Sequence, residues 1–211
     1  MYQPAAFRED DLATQHGIIR AHPFGLLIST GPEGILANPV PFALYEDGPF
    51  GTLRAHLSRG NAQWQALETS PEALIVFQGV DRYVTPSWYE TKKETGKVVP
   101  TWNYVMAQAR GRVVLHHDAE WLHAQVSRLS DHHEADRPEP WAVTDAPEPY
   151  VASQLKGIVG VEIVLTSIEA KIKVSQNRPA ADREGVLSGL TQEADPASLT
   201  MAALLSERHK P

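Results

Sequence analysis

The sequence predicts a mainly β fold with peripheral helices, and three observations carry that expectation. From Phe24 to Leu115 short apolar runs are cut by Gly and Pro, the rhythm of strands in an antiparallel barrel or sandwich. The run Ala73–Gly79 is almost continuously apolar, and Val99–Leu115 alternates over a long span. Hydrophobic residues make up 42% of the 211 residues and charged ones 21%, enough for one packed β-rich domain with helical appendages.

Taken in order, Phe24–Thr30 reads as a strand, Gly31-Pro32-Glu33-Gly34 as a turn and Ile35–Leu44 as the returning strand of a hairpin. Phe50–Leu57 is a third strand, with Leu53, Ala55 and Leu57 on one face and Thr52, Arg54 and His56 on the other. Asn61 is placed as the N-cap of a helix that buries Trp64 and Leu67 and ends at Pro71. Ala73–Gly79 fits a strand covered on both faces. In Val99–Leu115, Thr101, Asn103 and Val105 face one way, Trp102, Tyr104 and Met106 the other.

The second half is more helical. Asp118 caps a helix with the stripe Trp121, Leu122, Gln125, Val126 and Leu129, in which only the glutamine is out of character. Asp136–Pro149 is a loop and Tyr150–Lys156 a short helix. Ile158–Gln176 returns to strand, with a turn expected near Ser167. Two helix starts follow, at Asp182 and at Asp195, the latter with Pro196 in the first helical position. The expected organisation is one domain over 1–190, with a helical insertion at about 118–156, followed by a C-terminal helix in 191–211.

Composition excludes several chemistries. Lys and Arg total 19 against 26 Asp and Glu, a net charge of −7, which argues against a broad phosphate-binding face. With no cysteine, disulfides, thiolate catalysis and iron–sulfur clusters are ruled out. The start Met1-Tyr2-Gln3-Pro4 lacks a signal-peptide pattern, and no apolar stretch nears the roughly 20 residues of a membrane span. The reading is a cytoplasmic protein without membrane contact.

Three segments carry chemistry. In Arg54-Ala55-His56-Leu57-Ser58-Arg59-Gly60-Asn61 a strand delivers Arg54 and His56, and the chain turns at Gly60 into a helix. Cations beside a helix start suit a small anion, although a plain strand-to-helix turn with a solvated Arg reads the same. Tyr83-Val84-Thr85-Pro86-Ser87-Trp88-Tyr89 and Val99-Pro100-Thr101-Trp102-Asn103-Tyr104 hold five aromatics among small polar groups. That mixture suits a flat heterocycle or, for Trp88 especially, a core. Lys171, Lys173 and Ser175 share a strand face that ends in Gln176, Asn177 and Arg178, fitting a phosphate, a flavin edge or a protected outer strand.

The strings His56-Leu57-Ser58-Arg59-Gly60-Asn61, Tyr83-x-x-Pro86-Ser87-Trp88-Tyr89, Val99-Pro100-Thr101-Trp102-Asn103-Tyr104 and Lys173-Val174-Ser175-Gln176-Asn177-Arg178 occur in this order, after an opening Met1-Tyr2-x-Pro4-x-x-Phe7. Over roughly Met1 to Leu190 the chain resembles the PaiB-type FMN-binding negative transcriptional regulators. The resemblance implies an FMN-binding split β-barrel, related to pyridoxamine-phosphate oxidase, in a homodimer with FMN at the subunit interface. It implies that His56, Arg59 and Asn61 meet the phosphate and ribityl chain. Asn38, Pro39 and Val40 would line the isoalloxazine through backbone contacts, with Trp102 and Asn103 on the facing wall. Lys173, Gln176 and Arg178 match the family's last motif. The acidic loop 131–149 matches nothing in it.

Two alternatives accompany a flavin-sensing regulator: a flavin-dependent oxidoreductase, and a haem-handling relative. For catalysis, His56 and Tyr104 are the only polar aromatics near the expected site, and no acid/base pair stands out. His116-His117-Asp118 and Asp131-His132-His133-Glu134 sit a helix length apart, about 18 Å for about 12 residues, beyond the reach of a shared metal. Direct DNA reading is not expected, because the last helix, Asp195–Glu207, has no basic residue to aim at a groove.

Overall fold

The computed structural model describes residues 1–208; the last three positions of the expected C-terminal segment, 209–211, lie outside the described residues. Eight strands form an antiparallel sheet: β1 (Arg8–Glu9), β2 (Phe24–Gly31), β3 (Gly34–Pro41), β4 (Ala43–Tyr45), β5 (Thr52–Ser58), β6 (Glu72–Val84), β7 (Thr101–His116) and β8 (Ile158–Lys173). Their order is β3-β2-β6-β7-β8-β5-β4, with β1 also on β8. Seven α-helices accompany them: α1 (Leu12–Ala21), α2 (Gln63–Thr69), α3 (Glu90–Thr95), α4 (Ala119–Glu134), α5 (Glu148–Leu155), α6 (Ala180–Glu193) and α7 (Pro196–Glu207).

The chain comprises two compact units, and β6, β7 and β8 contribute residues to both. The first unit takes Met1–Ala21, Gln78–Ala107 and the chain from Glu169 on; the second takes His22–Phe77 and Gln108–Ile168. In the second unit the hairpin closes tightly, Gly31 opposite Gly34, with Gly34 at a φ of 118° that favours glycine. Leu27, Leu53, Ala55, Ile75, Phe77, Val161 and Ile163 fill its core. Each large apolar side chain so buried contributes about 1.5–3 kcal/mol. The first unit packs Val84, Tyr89, Ala107, Ile172 and Val174 with Val186, Leu190, Met201 and Leu205 of α6 and α7.

Several expectations are corrected by the structure. Strand β6 alternates instead of burying both faces: Ala73, Ile75 and Phe77 point inward while Leu74 and Val76 are half-exposed. No turn interrupts β8 near Ser167, because one polar residue does not break a strand whose flanks keep alternating. The buried stripe of α2 is Gln63, Ala66 and Leu67, whereas Trp64 sits at the edge and donates its indole N–H to the Arg59 carbonyl at 3.0 Å. The N-cap of α2 is Ala62; Asn61 acts one residue earlier, its Oδ1 accepting the Gln63 N–H at 3.0 Å. Asp118 and Asp195 cap α4 and α7 as expected. Asp182 lies inside the first turn of α6, buried, accepting from the backbone N–H and hydroxyl of Thr91 at 2.9 and 3.0 Å.

Candidate functional site

The expected residues fall into two groups, one in each unit. In the second unit, β5 ends at Ser58 and the chain folds back on itself before α2. The Arg59 N–H bonds the Gly157 carbonyl at 2.8 Å, the Asn61 N–H bonds the Ser58 carbonyl at 2.9 Å, and the Gly60 N–H bonds Ser58 Oγ at 3.2 Å. The turn's N–H groups are thus used internally instead of pointing outward. Arg59 is exposed and anchored through Nε to the Lys156 carbonyl at 2.9 Å, which leaves its two terminal nitrogens as the donors of this turn not used by that bond.

Along β3, Asn38 and Val40 point inward and Pro39 outward. Asn38 Nδ2 donates to Gln63 Oε1 at 2.9 Å, while Gln63 Nε2 donates to the Leu27 carbonyl at 3.0 Å and Ser29 Oγ at 3.1 Å. Gln63, only 1% exposed, therefore ties β2, β3 and the Asn61 turn together. The sequence signal for it was a lone polar residue on the stripe shared with Ala66 and Leu67. Because β3 ends the strand order, one of its edges has no strand partner among the described residues.

His56 stands opposite Gly160 on β8. A Cβ on Gly160 would lie 2.2 Å from the Trp121 ring, so this glycine lets α4 settle onto that face. Trp121 in turn stacks on His116 at 4.1 Å. Glu162 holds Arg54 at 2.7 Å on the same face. His56 Nδ1 is buried without a hydrogen-bond partner among the described residues, and burial holds its imidazole below the ordinary 6.5.

A depressed folded-state value means that the unfolded chain binds more protons, so His56 lowers stability as pH falls through about 6.5 and below. We expect His56→Gln to flatten part of the acid limb of a melting-temperature profile between pH 7 and pH 5; an unchanged limb would remove His56 as its source. His22, depressed by burial in the same way, retains the rest.

In the first unit, Asn103 is fully buried on β7 and faces the Ser175 hydroxyl at 3.0 Å. Ser175 has a φ of 62°, in the left-handed region. Gln176 completes that turn, its Nε2 donating to the Ile172 carbonyl at 2.6 Å and its Oε1 accepting the Val174 N–H at 2.7 Å. Asn103 and Gln176 therefore shape the turn that presents Lys173 and Arg178. Lys173 bonds the Thr101 hydroxyl, and Arg178 lies over the Tyr89 ring at 4.6 Å. Burial, then Lys171, then Arg178 hold the Lys173 ammonium below the ordinary lysine value.

Trp102, 52% exposed, meets Tyr83 edge to face at 5.9 Å. With Tyr104, Val105, Met106, Gln78 and Asp81 it lines a cleft of about 290 Å³. A larger cleft of about 570 Å³ lies in the second unit between Ile28, Thr30, Glu72, Arg110, Arg112 and Thr166, away from every residue the sequence singled out. Trp88, by contrast, packs against Gly185 and Gly189 of α6 and is part of the fold. Among the described residues no group of three or more His, Asp or Glu is placed to hold a metal ion.

An FMN brings a dianionic phosphate and a flat, largely apolar ring. Within the second unit, Arg59 is an exposed cation and β3 an edge strand; within the first, Lys173 and Arg178 are half-buried cations and Trp102 and Tyr104 offer aromatic rings, residue types that suit a phosphate and a flat ring.

Comparison with known proteins agrees. The fold is the split β-barrel, shared with a "putative 5-nitroimidazole antibiotic resistance protein" from Bacteroides thetaiotaomicron, which superimposes with a TM-score of 0.57 at 17% identity, covering 78% of this chain and 86% of that one. The family described as "Putative FMN-binding domain" matches residues 1–167, and the chain belongs to that family, whose cofactor is FMN. An uncharacterized protein of Emericella nidulans is 34% identical over 99% of this chain and 97% of its own. Bacillus subtilis "Protease synthase and sporulation protein PAI 2" is 28% identical over 100% of this chain and 99% of its own, in keeping with the PaiB resemblance. Among solved structures, the flavocytochrome Anf3 of Azotobacter vinelandii superimposes with a TM-score of 0.58 at 15% identity, covering 79% of this chain and 73% of that one. No helix among the described residues is long and apolar enough to cross a membrane.

Proposed function

We propose that this protein is a PaiB-like regulator that senses FMN at a homodimer interface without reading DNA itself. The observation that carries the proposal is an apolar outer face on the second unit. Across β3, β2 and β6 the register stacks Ala37–Ile28–Leu74 and Pro39–Leu26–Val76, flanked by Phe24 and by Ile35, which is 80% exposed. A face of this kind is suited to burial against a second copy. Pro39 lies within it, so the triplet Asn38-Pro39-Val40 would border both the flavin ring and the partner. Arg59, with His56 and Asn61, meets the phosphate and ribityl chain. Trp102 serves the flavin bound to the other copy, the expected contact of Asn103 giving way to its buried bond with Ser175, and the Lys173-Gln176-Arg178 turn supplies further positive charge. Regulation passes through a partner protein or metabolite, since α7 carries no basic residue from Pro196 to Glu207. The regulatory part of the proposal rests on the PaiB resemblance, to which the Bacillus subtilis "Protease synthase and sporulation protein PAI 2" corresponds over the full chain.

A second reading, electron transfer through flavin or haem, is favoured by one observation: His56 Nδ1 is buried without a hydrogen-bond partner among the described residues. Neutral imidazole is the iron-ligating form, and Anf3 is called a flavocytochrome.

The deciding experiment is the visible spectrum of the purified protein before and after FMN is added and the unbound fraction removed, with light scattering on the same sample. The proposal expects a retained flavin band, a mass of two copies, and FMN affinity reduced about 10–100-fold by Arg59→Ala with the fold intact. A colourless protein that retains no added FMN sinks it. A Soret band moves haem to first place.

A further inference from the structure

The end of β8 carries two lysines that the flavin contacts do not require as a pair. Lys171, only 6% exposed, and Lys173, half-buried, project from the same strand face. They share two aromatic rings. The Lys171 ammonium lies 5.9 Å from the centre of Phe7 and 5.1 Å from Tyr104, and the Lys173 ammonium 5.8 and 5.9 Å from the same rings. Lys171 is further held by the Tyr2 carbonyl at 3.3 Å, with the Tyr2 ring at 5.5 Å. Arg178 adds a third positive charge close enough to disfavour the charged form of Lys173.

No carboxylate answers them. Among the described residues, none of these three cations has an ion pair. Glu169, next along the same face, is engaged by the Met1 amino group at 2.6 Å, and Asp182 by Thr91. Like charges gathered in a partly dry place repel one another, and cation–π contacts only lessen that repulsion. An anion relieves it outright. Three cations on a chain of net charge −7 match a dianion better than a single carboxylate.

We infer that Lys171, Lys173 and Arg178 form a phosphate-binding site within the first unit, with Tyr104 and Phe7 as its aromatic walls and the Asn103–Ser175–Gln176 turn fixing Arg178. The phosphate is either the flavin's own or that of a second phosphorylated ligand. The inference shares Lys173 and Arg178 with the flavin proposal, so its test begins without flavin and the two fail separately.

The full chain, freed of any flavin, is titrated calorimetrically with inorganic phosphate. Saturable binding is expected, weakened about tenfold or more in Lys171→Met and in Lys173→Met, and less in Arg178→Lys, which keeps the charge but loses the fork. Melting curves confirm that each variant is folded; Lys173→Met, at the more exposed position, serves if Lys171→Met is not. FMN and riboflavin then identify the source. If FMN displaces phosphate and Lys173→Met weakens FMN but not riboflavin, the site holds the flavin's phosphate. If phosphate stays bound beside FMN, it holds a second ligand. Absence of saturable phosphate binding in the parent chain, or binding unaltered in both lysine variants, overturns the inference and leaves the lysines as struts among aromatic rings.

Discussion

Gly189→Ala is expected to lower the melting temperature of this protein, and to raise it once Trp88 has been replaced by leucine. In an exposed helix interior the same substitution stabilises by about 1 kcal/mol, because alanine loses less backbone entropy than glycine. Here a Cβ on Gly189 would lie 2.2 Å from the Trp88 indole, and one on Gly185 would lie 1.9 Å from the Trp88 carbonyl oxygen. The two glycines, four apart on one face of α6, form the notch into which Trp88 fits. Overfilling a packed site costs about 1–3 kcal/mol, more when backbone must move. Gly189→Ala should therefore lose about 1–2 kcal/mol net, or about 2–8 °C for a chain of this size. Gly185→Ala, which meets main chain that cannot rotate away, should lose more. With Trp88→Leu the indole is gone and the helix-propensity gain of Gly189→Ala should re-emerge. Thermal melts of the four proteins in that cycle decide it; a stabilising Gly189→Ala in the parent background would show that the notch is not tight.

That notch illustrates what could be read in advance. The spacing of Gly185 and Gly189 is visible in the sequence, but nothing local says that they face Trp88, nearly a hundred residues earlier. The same limit explains β6. A run such as Ala73–Gly79 states only that its residues are apolar. Whether Leu74 and Val76 are covered depends on what lies over them, and their half-exposure gives the apolar face its meaning. Features set by neighbouring residues were legible: the Gly31–Gly34 hairpin, the inward and outward sets of β5 and β7, and the caps at Asp118 and Asp195. At the candidate site the motifs singled out stretches of chain without separating the roles within them. Asn103 and Gln176 build a turn, while Lys173 and Arg178 are what it displays. Gln63 escaped the expected set because it is defined by partners distant in sequence, and Lys171, marked beside Lys173 on one strand face, meets its aromatic neighbours only in the fold.

Gln63 is where this matters most, and Gln63→Leu carries the second large expected effect. Its amide is oriented by its surroundings: three acceptors, the Leu27 carbonyl, Ser29 Oγ and, at 3.5 Å, the Leu36 carbonyl, face Nε2, and one donor, Asn38 Nδ2, faces Oε1. Leucine keeps the volume and removes all four bonds, leaving buried polar groups unanswered at about 1–3 kcal/mol each. A net loss of about 2–4 kcal/mol is expected after the apolar gain. A merely structural residue would lower FMN affinity only as far as it loosens the fold. Leu67→Ala, one turn along on the same buried stripe, supplies that control, because it costs a comparable 2–5 kcal/mol by opening a cavity and touches neither Asn38 nor Asn61. If Gln63 positions the flavin contacts, Gln63→Leu should weaken FMN about tenfold beyond Leu67→Ala and alter the shape of the bound flavin band, since Asn38 is then free to turn. Equal affinities in two variants of equal stability would reduce Gln63 to a core residue and detach Asn38 from the flavin.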